Sequence, residues 1–72
     1  MNTKEKLAIN IRRIRKLRNF SQEDFANEIG ISPFYYGEIE RGRANPTVVM
    51  LKSIAKGLNV DVSELLTIPP EP

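Results

Sequence analysis

The stretch Ser21 to Gly42, SQEDFANEIGISPFYYGEIERG, constrains this chain most, because start and stop signals for two short helices fall within it. Ser21 is suited to cap a first helix, with Asp24 three residues on as the acid of a capping box. Phe25, Ala26 and Ile29 then share one helical face. Gly30 ends that helix, since glycine enters the left-handed region at little cost. Ser32 caps a second helix, with Pro33 at its first position, where a missing N–H costs nothing. Tyr36 and Ile39 point its inward face at the first helix, and Gly42 ends it. The pattern predicts helix, tight turn, helix.

Two short helices around a Gly-containing turn form the unit whose second helix can enter a DNA major groove. The remaining residues supply a scaffold for it. The first helix is predicted from about Thr3 to Arg18. Leu7, Ala8, Ile11 and Ile14 form its buried stripe, Arg15 borders the stripe, and Ile9 and Leu17 fall outside it. Asn19 is a left-handed stop, and Phe20 seeds the core. After the connector Arg43-Ala44-Asn45-Pro46, Asn45 as cap and Pro46 at the first position open a fourth helix. Its apolar face is Val48, Leu51, Ile54, Ala55 and Leu58; Gly57 and Asn59 weaken and end it. Asp61 with Glu64 forms a further capping box opening a short fifth helix that carries Leu65 and Leu66. Val60 is placed to staple against Leu65. Ile68-Pro69-Pro70-Glu71-Pro72 cannot continue a helix. Residues 1–68 are expected to be one helix-turn-helix domain and residues 69–72 a Pro-rich tail. The fold class is all-α, a compact five-helix bundle.

Seventy-two residues allow one domain with a small core, so economical packing or oligomerisation is expected. The chain has no Cys and no His. That removes disulfides, Cys/His metal sites, thiol catalysis and imidazole acid–base chemistry. No grouping of Ser, Asp, Glu, Lys and Tyr suggests an activated nucleophile or a metal cage, so neither enzymatic activity nor a cofactor is expected. The N-terminal MNTKEKLAIN lacks an apolar run of signal-peptide length, which points to the cytoplasm. Charge is uneven. Residues 1–20 carry seven basic side chains against Glu5 alone, whereas residues 21–42 carry five acids against Arg41. A basic segment attracts nucleic acid without a high net charge, although a solvated helix face explains the same residues.

Taken in order, Ile11-x-x-Ile14-Arg15, Phe20-Ser21-Gln22, Ala26, Gly30, Ser32, Glu40-Arg41-Gly42, Asn45-Pro46, Leu51, Ile54-Ala55 and Leu58 stand at the spacings of a known family. Over residues 7 to 66 the chain resembles the phage-repressor-like (Cro/C1, Xre-type) helix-turn-helix regulators. The resemblance implies a lambda-repressor-like bundle that binds operator DNA, usually as a dimer. Within that family the chain also resembles the small controller proteins of restriction–modification systems, in Tyr35 and the Arg-x-Asn-Pro connector Arg43 to Pro46. Phage and plasmid regulators and antitoxins share those features. Three positions depart from the family pattern: Tyr36 replaces Ile or Val, Gly37 replaces Ser or Thr, and Asn19 replaces Gly.

These readings assign roles. Ser32, Pro33, Phe34, Tyr35, Gly37 and Glu38 line the start and outer face of the recognition helix as base-reading candidates. Phe34 suits a thymine methyl, with core or dimer packing as its alternative. Tyr35 suits a phosphate or base edge. Glu38 suits a cytosine amino group, or serves only as a solvent-facing charge. Gln22 at the start of a helix, with Arg41, Arg43 and Asn45 around the following loop, are the phosphate-binding candidates, the alternative for Arg41 being to fold back onto a helix end. The resemblance implies a partly buried ion pair between Arg15 and Glu40. Leu65, Leu66 and Ile68 are candidates for a homodimer interface, the alternative being closure of the monomer core. The leading function is a regulator binding a palindromic operator as a homodimer, with no small-molecule effector. The alternatives are the antitoxin half of a toxin–antitoxin pair, or a protein-interaction module that has lost DNA binding.

Overall fold

A computed structural model describes residues 2–67. Five helices run in order: α1 Thr3–Leu17, α2 Gln22–Ile29, α3 Pro33–Glu40, α4 Val48–Leu58 and α5 Val62–Leu66. No strand occurs among the described residues. Helix α1 packs against α3, α4 and α5, while α2 packs against α3 and α4. The core therefore collects side chains from every helix: Leu7, Ile11 and Ile14 from α1, Phe25 and Ala26 from α2, Tyr36 and Ile39 from α3, Ile54, Ala55 and Leu58 from α4, and Leu65 from α5. Ile9 and Leu17 are exposed. The rings of Phe20 and Tyr36 both pack at a tilt on Phe25, with centroids 5.3 and 5.4 Å away, a favourable aromatic geometry.

Local chemistry sets most boundaries. Ser21 Oγ accepts from Asp24 N–H, and Ser32 Oγ accepts from Tyr35 N–H, both at 3.0 Å. Gly30 closes α2 at φ 75°, and its left-handed turn sends the chain into α3. Asn19 and Asn59 take the same region, at φ 62° and 59°. A cap that was not anticipated starts α1: Asn2 and Glu5 form a reciprocal capping box.

Four expectations need correction. No bond returns from the Asp24 carboxylate to Ser21 N–H; aspartate is one methylene shorter than the glutamate such a box uses. Asn45 and Pro46 do not open α4. The cap is Thr47, whose Oγ1 accepts from Met50 N–H at 3.1 Å. Val48 and Val49, the first two residues of α4, accordingly stand clear of the core, 71% and 75% exposed, whereas Met50 and Leu51 pack against it. The Asp61 side chain makes no capping bond on α5.

Helix α4 also runs straight through Gly57, whose role is spatial. A methyl group there would lie 2.7 Å from Ile29 Cγ2 and 3.0 Å from Phe25 Cε1, so glycine lets α2 and α4 approach. Phe25 is fully buried and cannot move aside cheaply. Gly57→Ala is expected to destabilise by ~1–2 kcal/mol, because overpacking outweighs the gain in helix propensity. Thermal or urea unfolding measures this, and an unchanged or raised midpoint would contradict it.

Asn10 is a second unanticipated feature. It lies on the α1 stripe yet is fully buried. Its Nδ2 donates to the carbonyls of Leu65 at 3.0 Å and Thr67 at 2.7 Å, tying the last turn of α5 to α1. Its Oδ1 accepts from Arg13 Nη2 at 3.1 Å. The signal was an amide at the helical spacing of Leu7 and Ile14, where apolar residues belong.

Candidate nucleic-acid interface

The outward face of α3 begins at its cap. Ser32, Pro33 and Phe34 are exposed, Phe34 to 76%. A phenyl ring so open in a chain with so small a core lacks a folding role in the monomer. Tyr36 and Ile39 point the other way and are buried. Tyr35 lies half-buried on the flank, and its hydroxyl donates to the Asn45 carbonyl at 3.0 Å. That bond fastens the extended connector to the side of α3, while the Asn45 side chain faces solvent.

Further along, Glu38 is not a free acceptor. Its Oε2 receives Arg41 Nε at 3.0 Å and lies 3.7 Å from Arg43 Nη1. Gly37 is not open to solvent either, because the Arg41 guanidinium lies across it. Arg43 is the most exposed of the three charged groups. Arg12 on α1 joins Arg41 and Arg43 around one shallow surface groove, so part of the basic face of α1 continues into the α3–α4 turn.

Behind this face lies a closed polar cluster. Arg15 Nε donates to Glu40 Oε2 at 2.6 Å, and Arg15 Nη2 donates to Oε1 at 3.0 Å. Arg15 Nη1 donates to the Phe20 carbonyl at 2.6 Å. The Tyr36 hydroxyl donates to Glu40 Oε2, and Gln22 Nε2 donates to Oε1 at 3.0 Å. The carboxylate thus accepts four hydrogen bonds, close to its full capacity. Burial alone would raise the Glu40 pKa, but the bonds from Arg15, Tyr36 and Gln22 outweigh it and hold it below the usual carboxylate range. Burial and the bond to Glu40 push the Tyr36 phenol up. The bond to Glu40 raises the Arg15 guanidinium. All three groups keep their ordinary charge states at neutral pH.

The structure therefore separates the sequence-predicted residues into groups. Ser32, Pro33, Phe34, Tyr35 and Glu38 lie on the exposed face or flanks of α3. Arg41, Arg43 and Asn45 follow in its trailing turn and connector. Gln22, at the first turn of α2, turns its side-chain amide inward onto Glu40, which joins that helix end to the buried cluster. Sequence reasoning missed this bond and the one from Tyr36, although Tyr36 and Glu40 stand one helical turn apart on one face.

The dimer candidates divide differently. Leu65 is 0% exposed and belongs to the monomer core, so its place in an interface is withdrawn. A five-residue helix has few side chains with which to dock, and α5 uses Leu65 for that. Leu66 is 39% exposed. Ile68 and the tail 69–72 lie outside the described residues. No helix among the described residues is long and apolar enough to cross a membrane.

Two short helices joined by a tight Gly turn, the second with its outer face uncovered, define the helix-turn-helix class. Comparison with known proteins agrees, because a helix-turn-helix family model matches residues 11–65. The chain belongs to the helix-turn-helix family of transcriptional regulators. It is 43% identical to the control protein C.SmaI of Serratia marcescens, over 93% of this chain and 80% of that one. Its structure is similar to that of the hypothetical transcription factor NHTF from Neisseria, with a TM-score of 0.90 and 31% identity, covering 94% of this chain and 78% of the other. It is also similar to the restriction–modification controller C.Esp1396I, solved as a tetramer on its natural 35 base-pair operator, with a TM-score of 0.78 and 29% identity, covering 93% of this chain and 99% of that one.

Proposed function

We propose that this chain regulates transcription by binding a palindromic DNA operator as a homodimer, with α3 of each protomer in the major groove. The observation that carries this reading is the uncovered outer face of α3, where Ser32, Pro33 and Phe34 stand exposed beside a tied-down Tyr35. Phe34 offers a ring edge to a thymine methyl, and Ser32 offers a hydroxyl to a base edge or phosphate. Arg43 and Asn45 follow this face and supply phosphate contacts, which fix register but carry no sequence information, while the Gln22 amide is held on Glu40. The N–H groups of Gln22 and Glu23 at the start of α2 offer a further phosphate contact. A restriction–modification controller is the finer reading, supported by similarity to C.SmaI and C.Esp1396I over most of each chain.

Homodimerisation would use the aliphatic side chains left exposed on α4 and α5, namely Val48, Val49 and Leu66. Two protomers would then place their α3 helices about 34 Å apart on one side of the duplex.

Mutation separates positioning from reading. Arg43→Ala is expected to weaken binding about equally on every duplex and to lower the slope of log K against log salt by roughly one contact. Tyr35→Ala and Phe34→Ala are expected to change the preferred sequence. Fluorescence anisotropy on matched and mismatched duplexes at two salt concentrations measures both. A uniform loss from all three variants would contradict this division.

A further inference from the structure

Gly37 and Arg41 form a matched pair whose purpose the fold does not explain. A methyl group at Gly37 would lie 2.9 Å from Arg41 Nη2 and 3.2 Å from Nη1, so the guanidinium occupies the space that any other residue would fill. Helical side chains lean toward the N-terminus, which carries Arg41 back one turn over position 37. Glu38 then fixes it, taking Nε at 3.0 Å. That bond uses the inner edge of the guanidinium. Among the described residues neither Nη group donates to any protein acceptor, and the side chain is 44% exposed. Both terminal nitrogens lie over Gly37 on a side chain that solvent reaches.

We infer that Arg41 reads a guanine in the major groove, with Glu38 as its positioning residue and Gly37 as the seat that admits it. This rests on the proposed DNA-binding reading and revises the sequence-based expectation that Arg41 meets a phosphate. Two parallel donors match guanine O6 and N7, the acceptor pair that distinguishes guanine from the other bases in that groove. A phosphate contact needs no such seat, since a flexible side chain reaching outward meets a phosphate from many geometries. Holding the fork by Nε also removes rotamer freedom before binding, which favours a directional contact over a diffuse one. Arg43, at 3.7 Å from the same Glu38 oxygen and more exposed, stays available for the backbone.

The test begins with duplexes selected from a random library by the unaltered protein. Each guanine of the selected half-site is replaced in turn by 7-deazaguanine, which lacks the N7 acceptor. At one position the analogue is expected to weaken binding of the unaltered protein about 10-fold and to leave Arg41→Ala unaffected. Gly37→Ala and Glu38→Gln, each shown to be folded by circular dichroism, are expected to lose most of the penalty at that same position. If Arg41→Ala keeps the full penalty at every guanine, or if selected half-sites hold no invariant guanine, the inference is overturned while the regulator reading stands. If the unaltered protein selects no sequence at all, both fall together.

Discussion

Glu40→Ala is expected to cost ~3–5 kcal/mol and to leave much of the population unfolded, because it strands a buried guanidinium and a buried phenol at once. A domain of this size holds a total stability of only about 5 kcal/mol. The loss would come from the orphaned Arg15 and Tyr36 more than from the attraction removed. Replacing both members of the ion pair by apolar residues of similar size is therefore expected to be far milder than removing either one. Glu40→Gln keeps the shape and some acceptors but removes the charge. The same residue sets an acid limit. Its folded pKa lies below its ordinary value of 4.5, so its stabilising contribution is complete above that value. The contribution is lost as pH falls through the folded pKa. Urea midpoints measured from pH 7 down to 3 should fall more steeply for the unaltered protein than for Glu40→Gln. Parallel curves would show that the carboxylate is not held as described.

Leu65→Ala is the second large effect, at about 2–5 kcal/mol, the usual cost of a cavity at a fully buried leucine. The decisive feature is its independence of protein concentration, since the side chain serves the monomer core. Leu66→Ala, one residue on, is expected to change monomer stability by less than about 0.5 kcal/mol and to shift the monomer–dimer equilibrium seen in sedimentation. Unfolding curves at two protein concentrations distinguish the pair. A Leu65→Ala defect that disappears at high concentration would return that residue to the interface.

How far such features could be read from the sequence depended on their physical range. Helix ends at Ser21, Gly30, Ser32, Asn19 and Asn59 were legible because capping hydroxyls and left-handed residues act within three or four positions. The start of α4 was not, because Asn45-Pro46 and Thr47 are both competent caps. The choice follows from outside the segment, where the Tyr35 hydroxyl holds the Asn45 carbonyl and draws the connector out. Moving the start left Val48 as the first residue of the helix, at its exposed end. Asn10 illustrates the opposite case. Its place on a buried stripe was visible, but its partners stand 55 and 57 residues away.

The candidate site shows the same division. The exposed positions of α3 follow from the inward placement of Tyr36 and Ile39, which periodicity gives. Their chemical state does not. Whether Glu38 is free or clamped, and whether Gly37 is open or covered, depends on where two arginine side chains fold back. Gly37 was legible as a departure and as an outer-face position, but not that Arg41 would lie across it. The replacement of an aliphatic residue by Tyr36 was legible as a departure, but not that its hydroxyl would complete the shell of Glu40.

The claim on which all of this depends is that α3 is an outward-facing rod that reads duplex sequence. Selection of the full chain against a randomised duplex library, repeated at low and moderate salt, tests it most directly. Enrichment of a two-fold-symmetric site is expected, its half-sites centred one helical turn, about 10 base pairs, apart. Recovery of unenriched duplex at both salt concentrations would contradict it and leave the exposed aromatic face of α3 to a protein partner.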